Sequence, residues 1–267
     1  MRLLFIGDTV GNIGVAMLQE YLPQLKRDLK PQVTVVNGEN ATSVGRGISQ
    51  KVYKQIMNAG ADVITLGNHA WNNAEILDFI DDTNKLVRPA NYPGPDVPGR
   101  GYTVINVNGK QMAIINLQGL VLMDNLNNPF DTIDGLLKTL QSEVDYSFVD
   151  FHAETTSEKM AIARYLDGRI SALVGTHTHV QTSDYRILPG GTAFMTDAGM
   201  TGPYDSVLGM QTDLILKRFI TQRPVHFKVA ETGAGILSGC VIDISDRTGL
   251  ATKIRPILIN PDHPYVN

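Results

Sequence analysis

Short apolar runs alternate with longer amphipathic stretches over the first ninety residues. Leu3–Ile6, Val33–Val36 and Val63–Leu66 are each four residues of continuous apolar or β-branched character. Runs that short, bounded by polar or turn residues, predict buried strands. Between them the spacing lengthens to a helical period. From Val15 to Leu29 the residues Leu18, Leu22, Leu25 and Leu29 fall on one face. Pro23 interrupts that pattern and predicts a kink or break, with a second helix starting at the proline. Ser49 predicts an N-cap for a helix running to about Asn58, and Ala74–Ile80 reads as a further helix. This β-α-β-α rhythm implies parallel strands joined by helical crossovers.

The pattern changes at Asn91-Tyr92-Pro93-Gly94-Pro95, with Pro98-Gly99 following. Tyr102–Val107 and Gln111–Leu117 flank Asn108-Gly109, and Asn-Gly between two apolar runs predicts a tight hairpin. Residues 120–130 read as a loop and Ile133–Leu140 as a helix. Buried strands resume at Tyr146–Phe151 and Ala172–Val174, with a helix near Ser157–Leu166 between them. Pro224–Ile259 is β-rich and is expected to form a closing antiparallel layer. Neither a repeat nor a linker breaks the chain. A single α/β domain over residues 1–267 is therefore expected, with room for a small insert around 118–142.

Composition narrows the field. The chain has 267 residues and is 43% hydrophobic, enough for a sizeable core. Its net charge is -4 and no long basic run exists, so wrapping of long nucleic acid is not expected. The one cysteine, Cys240, cannot form an internal disulfide and reads as a small buried residue. No apolar stretch approaches the ~20 residues that span a bilayer, and the N-terminus lacks a secretory pattern. A cytoplasmic protein with no membrane partner is the expectation.

The chemistry lies where the strands end. Asp8 follows the first strand, Glu39 and Asn40 the second, Asn68 and His69 the third. His152 follows Ser147–Phe151, and His177 and His179 follow Ala172–Thr176. Open α/β sheets bind ligands beyond the carboxyl ends of their strands. Parallel strands would thus gather two carboxylates, two amides and four imidazoles at one edge. Glycines at positions 7, 38, 67 and 175 precede these residues and allow close packing. The donors are oxygen and nitrogen without thiolate, a set that suits iron, manganese or zinc. Eight candidates exceed the needs of one tetrahedral ion, so two ions joined by a carboxylate fit better. Alternation along an extended segment would put His177 and His179 on one face.

The order Gly7-Asp8, Gly38-Glu39-Asn40, Gly67-Asn68-His69, His152 and Gly175-Thr176-His177-Thr178-His179 resembles the calcineurin-like metallophosphoesterases. It is most similar to their YmdB-like branch, which includes 2′,3′-cyclic nucleotide phosphodiesterases. The resemblance runs over the whole chain, including Val36–Ala41 and Thr196–Pro203. It implies a sandwich of β-sheets flanked by helices. It also implies a first metal held by Asp8, Glu39, Asn40 and His179, and a second by Glu39, Asn68, His152 and His177. Glu39 would bridge, and His69 would be the catalytic proton donor. Two departures stand out. The superfamily's Asp-x-His motif is here Asp8-Thr9-Val10, which loses a ligand, and the bridging position holds Glu39 where Asp is usual. Asn40 is the replacement ligand on this reading.

The activity implied is hydrolysis of 2′,3′-cyclic nucleotides or similar small phosphodiesters by a metal-bridging hydroxide, with His69 protonating the leaving ribose oxygen. Two alternatives share the scaffold: a phosphatase or nuclease, and a metal-containing regulator acting through a partner. A dinucleotide-binding oxidoreductase is disfavoured, because Gly7, Gly11 and Gly14 lack the required spacing. A homo-oligomer is the general prior. Arg46 reads as a surface residue, Trp71 as packing, and His226 and His263 as structural or exposed.

Overall fold

A computed structural model describes residues 1–265. Two β-sheets lie face to face, each covered on its outer side by helices. In the first, Arg2–Ile6, Val33–Asn37, Val63–Thr65 and Leu86–Val87 run parallel in that spatial order. Gly235–Ile244 joins antiparallel to Arg2–Ile6 and carries Ala251–Ile259 and Met200–Pro203 alongside it. The second sheet orders Arg186–Ile187, Ala193–Met195, Ala172–Thr176, Tyr146–His152, Lys110–Gln118 and Tyr102–Val107. Its four central strands are parallel.

Strand alternation builds three apolar layers from these runs. Leu3 and Phe5 point inward to meet Phe148, Ala172 and Val174 of the opposite sheet. Leu4 and Ile6 point outward onto Leu18, Leu22 and Leu25 of the helix Gly11–Leu29. Val149 and Phe151 likewise back onto Ile133 and Leu140 of Pro129–Leu140, and Ile162 and Ala163 of Thr156–Tyr165. The segment 119–145 is therefore the crossover between two neighbouring parallel strands, with its helix packed in that outer layer.

Several local expectations hold. Ser49 accepts from the Val52 amide and caps Gln50–Ala59. Asn108 and Gly109 both take positive φ in the tight hairpin turn. Others need correction. Gly11–Leu29 is one helix with no break at Pro23. The proline is on the exposed side, where water can serve the carbonyl it leaves unbonded, while Leu18, Leu22 and Leu25 hold the buried face. Ala74–Asp78 is only a 3₁₀ turn, started by the Asn73 side chain on the Glu75 amide. Strand structure at the C-terminal end begins at Gly235, and residues 224–234 are mostly irregular.

Candidate metal centre

Asp8, Glu39 and Asn40, and Asn68 and His69 leave the ends of three parallel strands of the first sheet. His152 ends one strand of the second sheet, and His177 and His179 follow the next. The five loops meet at one edge of the sandwich. Ligand-capable atoms of Glu39, His152 and His177 lie within 4.8 Å of one another, as do those of Asp8, Glu39 and His179. Glu39 belongs to both groups. Asn68 enters the first through its Oδ1, 2.9 Å from His152 Nε2.

The imidazoles are oriented from outside. Thr176 Oγ1 donates to Asp150 (2.7 Å), so it accepts from His152 Nδ1–H (2.9 Å) and leaves Nε2 facing the cluster. His179 Nδ1–H donates to the Leu208 carbonyl at 3.1 Å, which frees its Nε2. His177 Nε2 pairs with Glu154 Oε2 at 3.0 Å, and its Nδ1 lies 3.0 Å from His152 Nε2. Each ring is thus anchored through one nitrogen and turns the other inward, the arrangement of metal-ligating histidines. Contacts of 2.9–3.2 Å among His152, Asn68, His177 and Glu39 also match ligand spacing around an ion. Bonds of about 2.1 Å give ligand–ligand edges of about 3.0 Å in an octahedron and about 3.4 Å in a tetrahedron.

The oxygens fit the same test. Asp8 Oδ2 accepts from the His177 amide, but the buried Asp8 Oδ1 has no hydrogen-bond partner among the described residues. Asn40 Nδ2 donates to the Gly45 carbonyl at 3.0 Å, and its buried Oδ1 is likewise without a partner among the described residues. Leaving such oxygens unmet is costly unless a ligand meets them. Gly67 permits the crowding: a Cβ there would lie 2.4 Å from both Glu39 Oε2 and the His152 ring.

His177 and His179 do not lie on an extended face as alternation predicts. Both have positive φ, 98° and 67°, in a turn after the strand ends at Thr176. Asp197 holds the turn. Its Oδ2 accepts from the Thr178 amide (3.0 Å), Thr178 Oγ1 (2.8 Å) and Lys159 Nζ (2.8 Å). Lys159 and Asp197 are both fully buried, so each charge depends on the other. Asp150 is a second support. It accepts from Thr65, Thr176 and Asn37, and Asn37 Oδ1 in turn accepts from the Glu39 amide.

Burial pushes the Asp8 carboxyl well above its usual range. It would do the same to Glu39, but the adjacent His152 holds Glu39 at about 2. Burial opposes a charge on His152 as well, and Glu39 outweighs it, lifting His152 to about 9. Burial and then His152 lower His177 to about 3. One proton on His152 thus offsets buried negative charge, a role a cation can take over by displacing it.

A cavity of about 650 Å³ opens from this cluster, lined on one side by Glu39, Asn40, His69 and the histidine turn. The His69 amide donates to Glu39 Oε2 at 3.2 Å, and its ring Nδ1 is 3.3 Å from Asn72 Oδ1. Arg46, expected at the surface, is exposed but also lines the cavity. Trp71 packs edge-on against Tyr92, and Cys240 is buried. Sequence reading missed Glu154, Asp150, Asp197 and Lys159. Asp150 and Glu154 flank His152 at two residues either side, a local signal that was available. Lys159, on a helix, carried none.

A family model described as YmdB-like protein matches residues 4–257. A 2′,3′-cyclic-nucleotide 2′-phosphodiesterase of Bacillus subtilis is 55% identical over 265 residues, covering 99% of both chains. A solved structure from Mycoplasma pneumoniae, described as a novel phosphatase, aligns with a TM-score of 0.92 at 34% identity, covering 98% of this chain and 95% of that one. A hypothetical protein from Thermus thermophilus aligns with a TM-score of 0.91 at 39% identity, covering 97% and 99% respectively.

Proposed function

This chain belongs to the YmdB-like protein family, and on that premise we propose that it hydrolyses 2′,3′-cyclic nucleotides or closely similar small phosphodiesters. The observation that carries the reading is the pair of donor groups sharing Glu39, with three imidazoles anchored from outside and two buried oxygens left unmet. We assign Asp8, Glu39, Asn40 and His179 to one divalent ion and Glu39, Asn68, His152 and His177 to the other. The thiolate-free donor set suits iron, manganese or zinc. Both sheets supply ligands, and the whole chain is proposed to act as a single catalytic domain.

Bound there, two ions supply positive charge for the phosphate oxygens and lower the pKa of coordinated water. The chain's own residues orient and protonate. Glu39 and the His177–His179 turn form the floor against which the phosphate rests. Hydrolysis forms one bond from a water oxygen to phosphorus and breaks one bond from phosphorus to a ribose oxygen. That departing oxygen takes a proton from His69, whose ring faces the cavity beside Glu39. Asn72 steadies the ring through Nδ1, which leaves Nε2 for the transfer.

The test is to quantify bound metal and assay 2′,3′-cyclic AMP beside bis(p-nitrophenyl) phosphate, with wild type and Glu39→Ala in parallel. About two metals per chain and turnover of the cyclic nucleotide support the reading. Glu39→Ala is expected to abolish turnover, since both metals lose a ligand. Turnover of the generic ester alone retains the chemistry and sinks the cyclic-nucleotide assignment. Protein that takes up no metal after reconstitution with iron or manganese overturns the centre itself.

A further inference from the structure

The cavity has two unlike walls. Besides the metal-ligating floor, the helix Thr212–Thr221 and the segments on either side of it line the cavity. This wall is apolar and aromatic: Leu208, Ile215, Phe219 and Phe227 all line it. Ile215 is the helix's one buried residue, and Phe219, one turn on, follows it along the same face. Phe219 is nevertheless 70% exposed and Phe227 39% exposed. Large aromatic side chains left open beside a polar catalytic floor call for an occupant that is flat and apolar on one part and anionic on another. At about 650 Å³ the cavity falls within the ~300–1,000 Å³ of small-molecule sites.

Resting on the phosphodiesterase reading above, we infer that Phe219 and Phe227 form a nucleobase-stacking subsite for the substrate whose phosphate the metal centre cleaves. Stacking uses the π-face that every base shares, so it needs no particular base. Reading one base against another needs polar groups aimed at its edges. The two long polar side chains on this wall each have a bond to the helix's own backbone. Arg218 Nη1 donates to the Gln222 carbonyl at 2.5 Å, and Gln222 Nε2 donates to the Phe219 carbonyl at 2.9 Å. Both serve the helix's own C-terminal end. The subsite is thus expected to demand a base and to rank bases only modestly, purines ahead of pyrimidines through their larger stacking face.

Leu216 and Ile220 are also exposed on this helix but do not line the cavity. A partner protein covering them is the rival explanation for the aromatic wall.

The experiment compares kcat/KM for adenosine 2′,3′-cyclic phosphate with that for abasic ribose 2′,3′-cyclic phosphate, in metal-loaded wild type, Phe219→Leu, Phe219→Tyr and Phe227→Leu. Wild type is expected to favour the base-bearing substrate by about 5- to 150-fold, the range that stacking on an aromatic residue supplies. The leucine variants should shrink that ratio several-fold, and Phe219→Tyr should keep it. Guanosine, cytidine and uridine 2′,3′-cyclic phosphates should all exceed the abasic compound in wild type. Turnover of both substrates at a ratio near one overturns the subsite alone. So does a leucine variant that loses both substrates equally while its mass by light scattering falls to a smaller assembly, since that marks the wall as an interface. No turnover of either substrate by metal-loaded wild type overturns the phosphodiesterase reading, and the subsite with it.

Discussion

The floor and the outer wall of the cavity are built on opposite principles. The loops carrying Glu39, Asn68 and the histidine turn are tied down by buried partners: Asp150 gathers Thr65, Thr176 and Asn37, and Asp197 gathers Thr178 and Lys159. Two histidines there keep positive φ because these contacts over-determine the turn. The wall formed by Thr212–Thr221 buries one side chain, Ile215, and leaves Leu216, Phe219 and Ile220 in solvent. The difference follows from what each wall must do. Metal ligands need placement to within a fraction of an ångström, whereas a stacking surface tolerates small shifts.

That contrast can be broken at several points. His69→Gln removes the proton donor at the edge of the floor and is expected to lower kcat for 2′,3′-cyclic AMP by about 10²–10⁴-fold. The loss should be much smaller for bis(p-nitrophenyl) phosphate, whose leaving group needs little protonation. Equal losses on both substrates would instead make His69 a binding or structural residue.

Asp197→Ala leaves the Lys159 ammonium buried and unpaired, and should cost about 3–5 kcal/mol in denaturant unfolding. Pairing it with Lys159→Met should recover much of that stability, and a double-mutant cycle measures the coupling. A cost near zero for Asp197→Ala alone would show that the clamp does not hold the floor.

Thr176→Val takes away the acceptor that sets the His152 tautomer. Metal affinity, followed by competition with a chelator, should fall about 10- to 100-fold with the fold intact. Unchanged affinity would mean that Asp150 and Thr176 are packing residues only.

On the other wall, Phe219→Ser should change unfolding free energy by less than about 0.5 kcal/mol, because the residue is already in solvent. A cost of several kcal/mol would erase the distinction between the walls.

How much of this was legible beforehand differs by region. Each candidate ligand was visible because it ends an apolar strand run or lies within a few residues of its end, as Asp8 does one glycine after Leu3–Ile6 and His152 after Ser147–Phe151. The supports were harder to see. Lys159 lies in a helix of low amphipathic contrast, where lysine ordinarily faces water, and only the arrival of Asp197 from another strand end accounts for its burial. The Pro23 break failed for a related reason. Local propensity argued for interruption, while packing of Leu18, Leu22 and Leu25 against the sheet carried the helix through.

By itself the sequence determined the alternation of strands and helices, the hairpin at Asn108-Gly109, the oxygen and nitrogen donor set and the positions of the donors at strand ends. These depend on local periodicity and on residue chemistry, which neighbours in the chain reveal. Only the tertiary structure decided which strands' donors come from which of the two facing sheets and which ring nitrogen of each histidine turns inward. It also decided that an aromatic wall lines the same cavity. Those outcomes depend on distances between residues far apart in the chain, such as the Asp8 carboxylate and the His177 amide 169 positions on, and no local pattern encodes them.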